Sequence, residues 1–154
     1  MLTMNRDRYI EAMQRYFTAV MAEDLPAIRA VFTEDARVTI YHGDSPERRF
    51  GVTPRAGEES LADFYGHIWR NYAVHFGDFT FICDPQSGAG SAIFVPTLTP
   101  KPGCVHAALG VLTLRNSNFF WFRGDLIHDT VIYYANPDLG ARLGLTTAPV
   151  TVPR

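Results

Sequence analysis

Two neighbouring ionisable residues, His128 and Asp129, lie in the run DLIHDTVIYY, whose branched and aromatic residues predict a β-strand. Successive strand side chains point to opposite faces, so only one of the two can look into the body of the fold. Facing inward, Asp129 would stand among Tyr133, Trp121 and Phe119. Desolvation there would raise its pKa toward the range useful for general acid/base work. Facing outward, it is solvated or pairs across strands with Arg115 or Arg123. His128, if it faces inward instead, has Thr130, Ile132 and Tyr134 on its side. Register decides between them, and the sequence does not fix register.

Other residues with usable chemistry are scattered. Tyr16 lies on an apolar helix face, where a core residue with a satisfied hydroxyl is the plain structural role. His75 stands at the exit of a helix, a place where imidazoles bond the last carbonyls. Asn118, in NSNFFWF, fits the closing of a bulge in a bent strand. His42 precedes Gly43-Asp44 at a strand end, near a pocket mouth or solvent. His67 falls at the edge of a helix, and His106 on a pocket wall or a subunit face. The five histidines show no pair at i, i+3 or i, i+4 spacing, which disfavours metal binding. Cys83 and Cys104 have no Cys or His at metal-ligand spacing and fall short of a disulfide framework, so reduced thiols are expected.

The elements that must position these groups follow from periodicity. Residues 5 to 22 place Tyr9, Met13, Tyr16, Phe17, Val20 and Met21 on one helical stripe. Asp24 is an N-cap for a second short helix with Pro26 in its first turn, burying Ala27, Ile28, Val31 and Phe32. Arg37 to His42 reads as a strand, and GDSPERRFGVTPRAG as a loop punctuated by Gly and Pro. Glu58 to Val74 returns to helical spacing with Leu61, Phe64, Tyr65, Ile68, Trp69 and Tyr72. Strands then follow one another: FGDFTFICD, GSAIFVPTL, VHAALGVLTLR, FFWFR and DLIHDTVIYY, with a tight turn at Arg123-Gly124-Asp125. Helices segregated from a mostly antiparallel sheet mean an α+β fold.

Composition bounds the function. The chain has 154 residues, a hydrophobic fraction of 47% and a charged fraction of 19%, enough to build a real core. Its formal net charge is −2 with basic residues dispersed, which suggests neither a nucleic-acid groove nor a polybasic membrane patch. No stretch reaches the ~18 apolar residues of a membrane span, and no leader pattern opens the chain. A cytoplasmic location is the default expectation. Eleven Phe, seven Tyr and two Trp must fill a dense core, line a pocket or cover a subunit interface.

Three segments in this order resemble the nuclear-transport-factor-two-like superfamily, in its SnoaL-like and ketosteroid-isomerase-like branch. They are RYFTAVMAEDLPAIRAVFTEDARVTI, GEESLADFYGHIW and LTLRNSNFFWFRGDLIHDTVIYYANP, and the resemblance covers about residues 8–137. It implies one domain over residues 1–154, with a surface tail from 138. The fold implied is a cone-shaped, curved, mostly antiparallel sheet wrapped around three helices, a cystatin-like roll. It also implies a homodimer through the outer sheet face and a small hydrophobic ligand or substrate, with no cofactor. The implied pocket is lined by Ile40, His42, Phe64, Trp69, Tyr72, Phe120 and Tyr134.

Tyr16 matches the helix-one tyrosine of the ketosteroid isomerases. Their base position carries Ile40 here, and their second oxyanion donor position carries Asn118. Ile40 cannot take a proton, so isomerisation by that route is not expected. His75 resembles one of the two histidines of scytalone dehydratase, whose partner on the next strand is absent here. SnoaL-like cyclases use an acid in the sheet, which points to Asp129. The expectation is a cofactor-independent lyase, isomerase or cyclase acting by acid/base chemistry on a small carbonyl or hydroxy compound. The alternatives are an apolar-ligand binder without turnover and a dimeric assembly module.

Overall fold

A computed structural model describes residues 5–42 and 46–135. Helix α1, Arg6–Met21, starts where the Asn5 side chain accepts a hydrogen bond from the Arg8 N–H at 3.1 Å. Its stripe of Tyr9, Met13, Tyr16, Phe17 and Val20 is buried, as helical periodicity predicts. Helix α2, Leu25–Val31, is capped by Asp24, which accepts from the Ala27 N–H at 3.0 Å. Helix α3, Leu61–Asn71, is capped by Ser60, with Asp63 in the first turn.

The strands are β1 Phe32–His42, β2 Arg48–Gly51, β3 Glu59–Ser60, β4 Tyr72–Asp84, β5 Ala89–Pro100, β6 Leu112–Thr113, β7 Arg115–Arg123 and β8 Leu126–Ala135. They form one sheet in the order β3-β2-β1-β8-β7-β5-β4, with β6 also paired to β5. The β1/β8 and β2/β3 pairs are parallel and the others antiparallel. The sheet bends where its ladders slip, between Phe32 and Arg37, between Gly77 and Thr80, and between Trp121 and Phe122. At the second of these Asp78 takes φ 54°, a left-handed conformation that an L residue adopts only when its surroundings fix it.

Three sequence readings need correction. The Gly/Pro-punctuated stretch after His42 was expected to be loop, but it contains β2, which pairs antiparallel with β1 and buries Phe50 completely. The run from Val105 to Arg115 was expected to be a strand. It holds a single 3-10 turn at Ala107–Leu109, a left-handed Gly110 (φ 65°), the two residues of β6 and, at its end, the first residue of β7. Tyr72, expected on the helical stripe, opens β4, because α3 ends at Asn71. The tail from 138 lies outside the described residues.

The helices pack on one face of the sheet. Phe17 of α1 is the hub, with ring centroids 5.4 Å from Phe76, 4.9 Å from Phe79, 4.6 Å from Phe94 and 6.0 Å from Phe120. Phe64 and Tyr65 of α3 cover Phe50 of β2, at 4.2 and 6.0 Å. The segment between β2 and α3 is fastened to β1 by one ion pair. Arg37 Nε lies 3.1 Å from Glu58 Oε1, without hydrogen-bond alignment. Its Nη1 donates to the Asp35 and Ala36 carbonyls at 3.1 Å. Glu58 Oε2 in turn accepts from the Arg55 N–H at 3.1 Å. Gly51 makes room for this clamp, since a Cβ there would stand 2.8 Å from Arg37 Nη1.

Removing one partner of a largely buried pair strands the other's charge. Glu58→Ala is expected to cost about 2 kcal/mol in urea unfolding, discounted from a fully buried pair for the partial exposure of both groups. An unchanged unfolding midpoint would show that the clamp contributes nothing.

Candidate ligand site

The inner face of the sheet can be read from its registers. On β7 it carries Asn116, Asn118 and Phe120, and on β8 Thr130, Ile132 and Tyr134. Val38, Ile40 and His42 extend it on β1, and Ala92 and Phe94 on β5. Three polar side chains in this apolar surface are almost fully buried: Asn116, Asn118 and Thr130. Asn116 Oδ1, Asn118 Oδ1 and Thr130 Oγ1 have no hydrogen-bond partner among the described residues. A buried polar group left unpaired costs about 1–3 kcal/mol, so apolar residues of the same shape would be more stable here.

Above this patch stand two tyrosines from different helices. Tyr16 of α1 lies with its ring 5.6 Å from Phe120 and 5.8 Å from Phe32. Its hydroxyl is 2.6 Å from that of Tyr65 on α3. Both side chains are buried. Burial is the largest cause holding both phenols well above their ordinary pKa. Both therefore stay protonated at any physiological pH. Two hydroxyls carry two protons and one bond joins them, so the pair retains one O–H with no acceptor among the described residues.

Tyr134 completes the cluster. Its ring is part-exposed, yet its hydroxyl lies deep enough for desolvation to push its pKa up to about 12, against a weaker opposing pull from Arg48. Its phenol also acts electrostatically on both Tyr16 and Tyr65. Tyr65 stacks on Trp69 at 5.6 Å, and the Trp69 indole N–H is tied to the Val20 carbonyl at 3.1 Å. Lys101 Nζ bonds the Trp69 carbonyl and reaches Glu23 at 2.9 Å, which fixes the end of α3.

The residues singled out from the sequence are distributed as follows. Tyr16, Ile40, Phe64, Asn118 and Phe120 are buried, with Tyr16, Ile40, Asn118 and Phe120 gathered around the polar patch. Tyr134 borders it opposite Asn116. His42 stands at the rim of the same face, its ring 5.3 Å from that of Tyr134. Trp69 flanks Tyr65, while Tyr72 lies apart beside the buried Cys104, and burial raises its pKa. His75 is exposed on β4 opposite Thr97, on the side away from the packed Phe76. His128 is the extra residue of the β7/β8 bulge and is half-buried. Asp129 pairs with Trp121 and shares its outward face with Val131 and Tyr133.

Sequence reasoning named Tyr65 only as part of a helical stripe and Thr130 only as a neighbour of His128, and it passed over Asn116. The available signal was the alternation of polar residues in N116-S-N118, which puts two amides on one face.

Two surface concavities, of about 450 and 490 Å3, lie outside this interior. The first runs between α1 and α2 to the β7/β8 turn, lined by Thr18, Ala22, Ala27 and Leu126 among others. The second lies on the outer sheet face between Phe119, Trp121, Val131 and Tyr133. Among the described residues no cluster of His, Cys, Asp or Glu could hold a metal, and no helix is long and apolar enough to cross a membrane.

No family model and no curated protein matches the sequence. Solved structures do. A provisionally assigned polyketide cyclase from Xanthomonas campestris pv. campestris superposes with a TM-score of 0.64 at 20% identity, covering 86% of this chain and 93% of its own. A provisionally assigned isomerase from Bacillus subtilis gives 0.69 at 13% identity, over 93% and 98% of the two chains. An NTF2-like protein of unknown function from Burkholderia pseudomallei K96243 gives 0.62 at 17%, over 92% and 98%. At such identities likeness speaks for the fold alone. The chain carries the fold of the nuclear-transport-factor-two-like superfamily.

Proposed function

We propose that the polar patch on the inner sheet face, beneath the helices, receives a small, uncharged, largely apolar molecule bearing a carbonyl or hydroxyl. In this reading the protein is a cofactor-independent lyase, isomerase or cyclase. The observation that carries it is the Tyr16–Tyr65 hydroxyl pair, buried with one proton to spare, with Tyr16 packed on Phe120 of the face that also carries the unpartnered oxygens of Asn116, Asn118 and Thr130. A carbonyl oxygen offers that O–H an acceptor, and a ligand hydroxyl offers the amide oxygens a donor.

All of these groups are neutral. They stabilise charge that develops on a ligand oxygen during reaction, as preorganised donors do in a water-poor site, without holding a ligand already anionic. Ile40, Phe64, Phe120 and Tyr134 supply the apolar walls. The cyclase and isomerase designations of the Xanthomonas and Bacillus structures agree with this class of chemistry.

The reading is tested with the bicyclic ketone 2-tetralone as probe and its carboxylate counterpart 2-naphthoate as control, by calorimetry. Tetralone is expected to bind and naphthoate not. The double variant Tyr16→Phe/Tyr65→Phe should weaken tetralone about tenfold, the worth of one buried hydrogen bond. Equal binding of the two probes, or an affinity untouched by the double variant, would contradict the reading.

A homodimer through the outer sheet face is part of the proposal. Phe119, Trp121, Tyr133 and Tyr41 are each more than a third exposed there, with Tyr41 stacked on Tyr133 at 5.2 Å. Such a contiguous aromatic surface is unusual on a monomer. Sedimentation at micromolar concentration should give a dimer, and Trp121→Lys should give a folded monomer whose melting no longer depends on protein concentration. A monomeric parent protein would remove the dimer.

A further inference from the structure

Acid/base conversion of a carbonyl compound needs a group that changes protonation near neutral pH. The inner face offers few. Tyr16, Tyr65 and Tyr134 have phenols displaced upward, and Asn116, Asn118 and Thr130 do not titrate. Ile40 is inert. His75 and Asp129 stand on the outer side, and His128 occupies a bulge.

One imidazole does belong to this face. Side chains alternate along β1, so His42 follows Val38 and Ile40 on the inner side. In the parallel ladder His42 pairs with Tyr134, and the two rings lie 5.3 Å apart at an angle of 50°. Tyr134 in turn neighbours the Tyr16–Tyr65 pair electrostatically. Tyr134 thus stands between the two, in ring contact with the imidazole at the rim and within electrostatic range of the buried hydroxyls.

The charged group facing His42 is Arg48 of β2. Its guanidinium is held by Glu59, Nε to Oε2 at 3.1 Å and Nη2 to Oε1 at 2.9 Å, and lies 5.4 Å above the ring of Phe64 on α3. From β8 the facing titratable group is Tyr134. Burial first, and the Arg48 charge second, hold the imidazole below its ordinary pKa of 6.5. At pH 7 His42 is therefore neutral and keeps a nitrogen lone pair free to accept a proton.

We propose that His42 is the proton acceptor for a ketone seated against the Tyr16–Tyr65 pair. This rests on the ligand class proposed above. The imidazole nitrogen takes a proton from the carbon next to the carbonyl. The C–H electron pair becomes the C=C bond of an enolate, whose oxygen accepts the spare tyrosine O–H. The proton then returns from the imidazolium to carbon or passes to solvent. No oxidant, metal or cofactor enters the balance.

The test is exchange of the α-protons of 2-tetralone in D2O, followed by NMR, with binding read from the broadening of the same signals. The wild-type protein should accelerate exchange. Its rate should fall as pH drops through one ionisation below 6.5, because protonation removes the accepting lone pair. His42→Gln, at an exposed position where folding is checked by an unchanged melt, should slow exchange by about 100-fold and leave broadening intact. Binding without exchange in the wild type, or exchange undiminished in His42→Gln, would overturn the role of His42 and leave the ligand reading standing. Absence of binding would overturn the ligand reading, and the role of His42 with it.

Discussion

A hydroxyl taken out of water must find a partner or lose more than it gains by burial. Tyr16 and Tyr65 meet that requirement by finding each other at 2.6 Å. The contact joins α1 to α3 across 49 residues of sequence and ties the two helices to each other over the sheet. It also sets the chemistry beneath. A pair of neutral donors has one proton more than it can use internally, and desolvation keeps both phenols protonated.

Phe17 gathers Phe76, Phe79, Phe94 and Phe120 into edge-on and tilted ring contacts, an ordinary core over β4, β5 and β7. Directly beside it on the same face, with Asn116 and Asn118 paired to Phe94 and Ala92 and Thr130 paired to Phe120, three polar side chains interrupt the apolar surface with oxygens that have no partner among the described residues. Stability alone would favour leucine or valine at such places. The proposed ligand-binding role would account for their being polar, with the packed rings as the rigid wall that such a site requires.

Much of the architecture was legible because it rests on local rules. The stripe from Tyr9 to Val20, the Asp24 cap with Pro26 behind it, and the Gly124 turn (φ 63°) between β7 and β8 each follow from spacing or backbone freedom alone. What escaped depends on distant partners. β2 looks like loop because Gly and Pro flank it, and only pairing with β1 and burial of Phe50 make it a strand. The 105–115 run has strand-like residues, yet Gly110 breaks it.

The candidate site was legible in part for the same reason. Tyr16 and Asn118 could be named from the resemblance. Tyr65 could not be recognised as the partner of Tyr16, since nothing local joins two helices 49 residues apart. The facing of His128 and Asp129 turned on a one-residue bulge opposite Trp121 and Phe122, and no propensity encodes such a slip.

The most direct measurement is a high-resolution crystal structure of the protein as purified, inspected between Tyr16 and the β7/β8 face. The account predicts electron density for a bound molecule within about 3 Å of Asn118 Oδ1 and of one tyrosine hydroxyl, the reach of a hydrogen bond. Helices closed onto the sheet, with Asn116, Asn118 and Thr130 all bonded to protein atoms and no density between, would contradict it.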